Sequence, residues 1–377
     1  MGRMNLPARL HRFTGMSPEV NIRRLGDNGV MPIKIPSGLP ARAILDSERI
    51  FAIEKPDAED QHIRPLKFAM LNLMPKKIET ETQLLRLISK TPLQVEVDFM
   101  KVSTHESTHV SADHLVKFYE NFEAFADNYY DGFIVTGAPV EHLDFEQVDY
   151  WHELTEIFDW SRSHVFSTMY LCWGAMAALN YRYGVRKINL NSKKFGVFPQ
   201  YLQDEYCFLT NGFDEVALQP HSRHAALNED DIAANSTLQV LTWGPESGPG
   251  LIASRDFSEV FAIGHWEYGK YTLRDEYERD RARGMTNVPL PQNYFPHDDP
   301  TIEPVFSWRA HANLLWRNWT NWVYQTTPYD LHEVPQLKAE GRLGTDRTIR
   351  HTPGGPRGDG FAPIMGDGYG LIPSGLS

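Results

Sequence analysis

Cys172 is one of two cysteines in 377 residues, and it lies where the apolar run VFSTMYL meets the helix-like pattern WGAMAAL. A nucleophile at a tight strand-to-helix turn projects from its sheet, and the start of the helix supplies partial positive charge that favours a thiolate. The backbone N–H of Trp173 has no partner within such a helix and could stabilise an oxyanion. A lone cysteine between apolar runs is also often buried and inert, so the turn alone does not decide its role.

A base for this thiol is offered by the segment AIGHWEYG. His265 and Glu267 are two apart on a predicted strand end, so their side chains should leave the same face. The carboxylate can fix the imidazole tautomer and support the imidazolium while His265 removes a proton. Any single histidine among 15 is more often structural, however.

Other chemistries lack their motifs. The sequence has no Pro-Cys-x-x-Cys pattern to accompany its His-x-Glu, and we expect no metal site. No glycine-rich phosphate loop follows a strand, which disfavours a nicotinamide or ATP enzyme. Thiol-based acyl transfer or hydrolysis remains.

Alternating strands and helices over residues 66–184 must position these groups. Strands are predicted over LKFAMLNLM, QVEVDFMKV, GFIVTG and VFSTMYL; helices are predicted over IETETQLLRLIS, ADHLVKFYENFEAF, EQVDYWHELTEIFDWS and WGAMAALNYRYG. This alternation predicts an α/β fold with a doubly wound parallel sheet. Ligands bind beyond the carboxyl ends of such strands, which here carry NLMPKK, TGAPVEH and LCWG.

The remainder of the chain is predicted to hold shorter strands and two further helices. TLQVLTW, GLIAS and VFAIGHWEY read as strands, and TLRDEYERDRARG and SWRAHANLLWRNWTNWVYQ as helices. Leu315, Trp319, Trp322 and Val323 follow helical spacing, which fits core packing or, alternatively, a dimer interface.

Composition narrows the partners and the compartment. Two cysteines cannot form a disulfide framework, which points to a reducing, cytoplasmic setting. A net charge of −12 argues against nucleic acid and anionic lipid, and the longest apolar runs are too short to span a membrane. Small molecules are the expected ligands.

Long ordered motifs in this chain resemble the homoserine O-acyltransferase family of methionine biosynthesis. They are MPIKIPSGLPAR, IRPLKFAMLNLMPKKIETETQLLRL, DGFIVTGAPVEHLDFEQVDYW, CWGAMAALNYRYG, PHSRH, NYFPHDDP and QTTPYDL. The resemblance implies a flavodoxin-like, class I glutamine-amidotransferase-like fold and a cytoplasmic homodimer. It makes Cys172 the residue that becomes acylated, His265 the proton acceptor and Glu267 its partner.

The resemblance also implies residues that recognise the substrates. Lys193 and Arg279 match positions that bind substrate, and Ser222 matches a position that contributes to substrate choice. Glu141 follows TGAPV, where glycine resembles succinyl-CoA users and glutamate resembles acetyl-CoA users. A succinyl group carries its own carboxylate, and like charges at about 4 Å cost roughly 1 kcal/mol in water. We therefore expect acetyl-CoA as co-substrate, L-homoserine as acceptor and no resident cofactor.

Three residues depart from the family pattern: Met176 replaces glutamine, Trp266 replaces proline and Gln200 replaces histidine. They leave open an acceptor such as serine. Two further activities also stay open, homoserine O-succinyl transfer and hydrolysis by a glutamine-amidotransferase-like cysteine enzyme. The resemblance covers residues 31–331, with an extension over 1–30 and a Gly/Pro-rich, flexible tail predicted over 332–377.

Overall fold

The computed structural model describes residues 33–47, 52–54, 64–104, 112–285 and 288–341. The predicted extension over 1–30 and most of the predicted tail lie outside these residues. Residues 332–341, assigned above to the tail, include a short helix whose Val334 is fully buried. None of the helices in the described ranges is long and apolar enough to cross a lipid bilayer.

The described residues contain twelve strands of one sheet and the helices that cover it. The strands are β1 (Ile33–Ile35), β2 (Ala52–Glu54), β3 (Leu66–Leu71), β4 (Val95–Lys101), β5 (Tyr119–Asn121), β6 (Tyr130–Val135), β7 (Val165–Leu171), β8 (Lys187–Leu202), β9 (Val216–Leu227), β10 (Leu238–Gly244), β11 (Gly248–Ser254) and β12 (Glu259–Ala262). The helices are α1 (Ala41–Ser47), α2 (Lys77–Ile88), α3 (Ala112–Phe118), α4 (Trp151–His164), α5 (Trp173–Tyr183), α6 (Glu229–Ala234), α7 (Thr272–Ala282), α8 (Arg309–Thr326) and α9 (Val334–Ala339).

The sheet is parallel in one half and antiparallel in the other. Its order is β2-β1-β4-β3-β6-β7-β12-β11-β10-β8-β9, with β5 beside β4. All pairs from β2 to β12 are parallel, and all pairs from β12 to β9 are antiparallel. The predicted doubly wound sheet is confirmed, with an antiparallel extension on one edge.

Two apolar cores cover the two faces of this sheet. Alternate residues of β3 separate between them: Phe68 and Met70 join one core, and Ala69 and Leu71 join the other. Helices α1, α2 and α8 cover the first face, and α4 and α5 cover the second. The stripe on α8 packs inward, since the ring of Trp319 lies 5.1 Å from the ring of Phe68. The core-packing interpretation of that stripe is therefore confirmed.

Several predicted boundaries are wrong. The helix predicted over 112–125 ends at Phe118, because Tyr119 starts β5 and buries its hydroxyl against Glu81 at 2.5 Å. The helix predicted from Glu146 begins at Trp151, after a 3₁₀ turn. The strand predicted through Tyr268 ends at Ala262.

Helix α5 approaches the end of β6 so closely that Gly174 has no room for a side chain. A Cβ there would lie 2.5 Å from the Thr136 carbonyl oxygen. This contact brings the TGAPV loop against the start of α5.

We predict that Gly174→Ala lowers stability by about 1–3 kcal/mol, although alanine is the better helix former, because the Thr136 backbone must move. The denaturation midpoint in urea measures this. Gly269→Ala is the control, since its Cβ would meet only Thr272 Oγ1 at an ordinary 3.6 Å. Equal midpoints for the two variants would contradict the close approach.

Candidate active site

Cys172 occupies a strained turn between β7 and α5. Its φ of 46° and ψ of −114° lie outside the regions that non-glycine residues normally adopt. Its N–H donates to the Ala262 carbonyl at 2.7 Å, and its carbonyl accepts from the Met176 N–H at 3.0 Å. The neighbouring strand and the helix therefore hold this conformation from both sides, as is typical of a nucleophile at a strand-to-helix turn.

His265 and Glu267 lie together beside this thiol. His265 Nδ1 is 2.7 Å from Glu267 Oε1, and both side chains are buried. Burial disfavours charge on the imidazole, but the negative charges of Cys172 and Glu267 and hydrogen bonds to both raise the pKa of His265 well above its usual value. The three predicted residues are thus brought together. His265 and Glu267 lie in a turn after β12, not on the predicted strand end.

The imidazole is also fixed by its neighbours. The ring of Tyr268 stacks on it with centroids 4.1 Å apart and an interplanar angle of 15°. The backbone N–H of His265 donates to the Pro220 carbonyl on β9 at 2.7 Å. The Tyr268 hydroxyl donates to Glu276 Oε1 at 2.8 Å, which links the base to helix α7.

The predicted substrate residues gather around two carboxylates on α7. Ser222 Oγ donates to Glu276 Oε2 at 2.5 Å, and Lys193 Nζ lies 3.6 Å from Glu276 and from Asp280. Arg279 binds Asp280 through Nε at 2.8 Å. Lys193 reaches this place from an irregular stretch of β8, where the register with β9 shifts between residues 189 and 194.

Tyr268, Glu276 and Asp280 were not predicted from the sequence. Glu276 precedes Arg279 by three residues, so the helical phase of α7 could have placed it on the same side. No local pattern indicated the stacking of Tyr268 on the base.

The TGAPV loop closes the other side of Cys172. A Cβ at Gly137 would lie 3.4 Å from the Cys172 Cβ and 3.5 Å from the Trp173 nitrogen. Thr136 Oγ1 accepts from the Leu73 N–H at 2.7 Å, which joins this loop to the NLMPKK segment. The three predicted strand ends therefore meet, and the Trp173 N–H faces a position without a side chain.

Glu141 extends from this loop to β9. Its Oε2 accepts the His224 N–H at 2.7 Å, and its carbonyl accepts Lys187 Nζ at 2.7 Å. The side chain that was predicted to select the acyl donor is thus held in place by the backbone of the strand that carries Ser222.

A buried lysine lies at the carboxyl end of β3. Burial lowers the pKa of Lys77 to about 8, although the charge of Glu81 acts in the opposite direction and raises it. The Lys77 Nζ donates a hydrogen bond to the Asn72 carbonyl. The sequence placed NLMPKK at the site without singling out this residue.

The three departures from the family pattern leave His265 and Glu267 in contact. Trp266 is buried and packs against Phe213 and His311, while its neighbours His265 and Glu267 keep their 2.7 Å contact. Met176 is fully buried in a core. Gln200 is fully buried too and donates to Ser247 Oγ at 2.6 Å, so its amide is engaged away from Cys172.

Comparison with known proteins identifies the family. A family model described as homoserine O-succinyltransferase matches residues 32–329. The chain belongs to this family. Proteins named homoserine O-acetyltransferase from Bifidobacterium adolescentis and Acetivibrio thermocellus are 80% identical over 342 residues and 48% identical over 305. These alignments cover 91% and 81% of this chain and 99% and 100% of the two relatives.

Two acyl-group names thus occur within the family, succinyl in the family's own description and acetyl in these relatives. Among solved structures, a glutamine amidotransferase from Thermotoga maritima is similar, with a TM-score of 0.43 and 9% identity. That alignment covers 70% of this chain and 100% of the other.

We predict that Glu267→Gln lowers the rate of Cys172 alkylation by iodoacetamide at pH 7 by at least about tenfold. The raised pKa keeps His265 protonated above pH 6.5, so a positive charge lies beside the Cys172 sulfur and favours its reaction with the reagent. Removing the carboxylate lowers that pKa and weakens the counter-charge. Labelling followed by peptide mass measures both thiols in one sample.

Cys207 is the internal control for this measurement. It is buried, and burial raises the pKa of its thiol to about 11, so it should stay unlabelled in both proteins. An unchanged Cys172 rate in Glu267→Gln would remove the carboxylate from the activation of the thiol.

Proposed function

We propose that this chain transfers the acetyl group of acetyl-CoA to the hydroxyl of L-homoserine through an acetyl-cysteine at Cys172. The observation that carries this proposal is the strained Cys172 turn with His265 and Glu267 in contact beside it. Family membership and relatives named homoserine O-acetyltransferase support the reaction and the acetyl donor. Acetyl-CoA acts as a co-substrate, with no resident cofactor.

In the first half-reaction, the Cys172 sulfur attacks the thioester carbonyl carbon. The carbonyl electron pair moves to oxygen, and the Trp173 N–H donates to it. The CoA sulfur then leaves with the bond electrons and takes the proton from the His265 imidazolium. One thioester replaces another, so this step is close to balanced in energy.

In the second half-reaction, neutral His265 removes the homoserine hydroxyl proton as that oxygen attacks the acetyl carbon. Cys172 leaves as a thiolate, and the imidazolium forms again beside it. Glu267 stabilises that imidazolium and fixes its orientation. The ring of Tyr268, stacked on the imidazole, also helps to fix that orientation. O-acetyl-L-homoserine is released.

The acceptor is proposed to bind among the charged groups on α7 and β8. An amino acid carries one ammonium and one carboxylate, and Lys193 and Arg279 here alternate with Glu276 and Asp280. The guanidinium of Arg279 suits the carboxylate, and Glu276 suits the ammonium. Ser222, bonded to Glu276, would limit the size of the acceptor.

Glu141 favours acetyl over succinyl as the donor group. Its carboxylate would repel the second carboxylate of a succinyl group, and its side chain fills volume that the longer group needs. A hydrolase on this fold would release free acid without homoserine, so product formation that depends on homoserine separates the two activities. We further propose a cytoplasmic homodimer, and light scattering of the purified protein tests the oligomeric state.

We predict that Cys172→Ala abolishes release of CoA from acetyl-CoA, both with and without homoserine. The wild-type protein mixed with acetyl-CoA alone should gain one acetyl group, about 42 Da by intact mass, because the two-step route leaves a covalent intermediate. A thiol reagent for CoA and mass spectrometry are the two measurements. Substantial turnover by Cys172→Ala would exclude the covalent route.

We predict that Glu141→Gly raises the ratio of kcat/KM for succinyl-CoA to that for acetyl-CoA by at least about fivefold. Two like charges at about 4 Å repel by roughly 1–4 kcal/mol between water and a protein surface, and the variant removes one of them. Glu141→Gln keeps the volume and removes the charge, so it should give an intermediate ratio. A wild-type ratio in Glu141→Gly would exclude Glu141 from donor choice.

A further inference from the structure

Arg223 is a buried guanidinium without a carboxylate at ion-pair distance among the described residues. It is 2% exposed. Its Nη2 donates to the Ser247 carbonyl at 2.5 Å, its Nη1 to the Ala225 carbonyl and its Nε to His221 Nδ1 at 3.3 Å. These acceptors are neutral, because burial, with the charge of Arg223, lowers the pKa of His221 well below its usual value. The positive charge therefore needs compensation from further away.

The negative charges that face Arg223 belong to the site. Burial lowers the pKa of the guanidinium, and the charges of Cys172, Glu141 and Glu229 oppose that shift. Glu229 is engaged by Trp243 Nε1 at 2.9 Å. The nucleophile and the donor-selecting glutamate are thus the other two counter-charges of this cation.

The Glu141 carboxylate lies beside strand β9, at the residues that provide the His224 backbone N–H and the Arg223 guanidinium. Its Oε2 accepts the N–H of His224, the residue that directly follows Arg223. Its loop begins at Gly137, which is packed against the Cys172 Cβ. The glutamate side chain therefore connects the surroundings of the nucleophile to a position with a backbone N–H and a buried cation.

A glutamate side chain and a succinyl group end in the same chemical unit. Beyond the Cα of glutamate and beyond the thioester carbonyl of a succinyl group, the atoms are CH₂–CH₂–COO⁻. The Glu141 carboxylate thus shows where strand β9 stabilises a carboxylate that is carried by the TGAPV loop.

We propose that Arg223 and the His224 N–H form a carboxylate receptor that sets the acyl donor. In this protein Glu141 fills the receptor from within the chain, so that an acyl group without a carboxylate is used. When residue 141 has no side chain, the terminal carboxylate of a dicarboxylic acyl group takes its place. This inference rests on the proposed acyl transfer. It adds attraction of the succinyl carboxylate by Arg223 to the repulsion of that carboxylate by Glu141.

A pair of donors separates this attraction from a gain of space. Succinyl-CoA and butyryl-CoA have acyl chains of equal length, but only the succinyl group carries a carboxylate. We expect Glu141→Gly to prefer succinyl-CoA over butyryl-CoA by at least tenfold in kcat/KM. Equal use of the two donors would overturn the proposal, because relief of crowding would then explain the whole effect.

The assignment to Arg223 is tested in the same background. Glu141→Gly with Arg223→Met should bring the succinyl-to-butyryl ratio close to one, and Arg223→Lys should give an intermediate ratio. The ratio is the readout, since loss of a charge beside Cys172 lowers turnover of both donors. A tenfold preference that persists with Arg223→Met would overturn the role of Arg223.

Two controls complete the experiment. Lys194→Met removes the cation that pairs in register with Arg223 across β8 and β9, and it should leave the ratio unchanged. A thermal melt shows whether the Arg223→Met variant folds. If it does not fold, the succinyl-to-butyryl ratio of the Arg223→Lys variant still tests the role of Arg223. Acetyl transfer by the wild-type protein tests the proposed function separately. Failure of the proposed function can therefore be distinguished from failure of the carboxylate receptor.

Discussion

The backbone of Cys172 is the constraint on which the site depends. Its positive φ costs energy for a residue with a Cβ, of the order of 1–3 kcal/mol. That cost is offset by the pairing of β7 with β12 on one side and by the first turn of α5 on the other, through Ala262 and Met176. The same strand β12 leads directly to His265. The pairing of β7 with β12 therefore both holds Cys172 in its strained conformation and delivers His265 beside it.

Around this turn the two buried cations face groups of the opposite sign. His265 interacts with Cys172 and Glu267, and Arg223 interacts with Cys172, Glu141 and Glu229. Either cation would be costly to bury alone, and these interactions offset part of that cost. They explain why the interior can hold the Arg223 guanidinium without a carboxylate at ion-pair distance among the described residues. A change of charge at residue 141 therefore alters the electrostatic surroundings of Arg223.

The junction of β7 and α5 could be predicted from sequence because an uninterrupted apolar strand, a helical pattern and the αL glycine Gly184 are all local signals. His265 and Glu267 were paired correctly on a wrong premise, since the chain turns after Ala262 and the contact is tertiary. Strands β8 and β9 were not predicted, because their antiparallel pairing and the shifted register in β8 have no short apolar signature. The burial of Arg223 could not be predicted, because only the folded arrangement supplies its distant counter-charges.

Strand β9 separates the groups proposed to bind the acceptor from the groups proposed to select the donor. Side chains alternate along a strand, so Ser222 and Arg223 leave opposite faces. Ser222 is directed to Glu276 on α7, whereas Arg223 faces Glu141 and Cys172. In the proposed reaction, a substitution at Glu141 or Arg223 therefore acts on the other side of the strand from the residues proposed to hold the amino acid. Because the two sets of groups share a backbone but no side chains, a substitution at residue 141 should change the proposed donor contacts while the contacts of Ser222 with α7 remain.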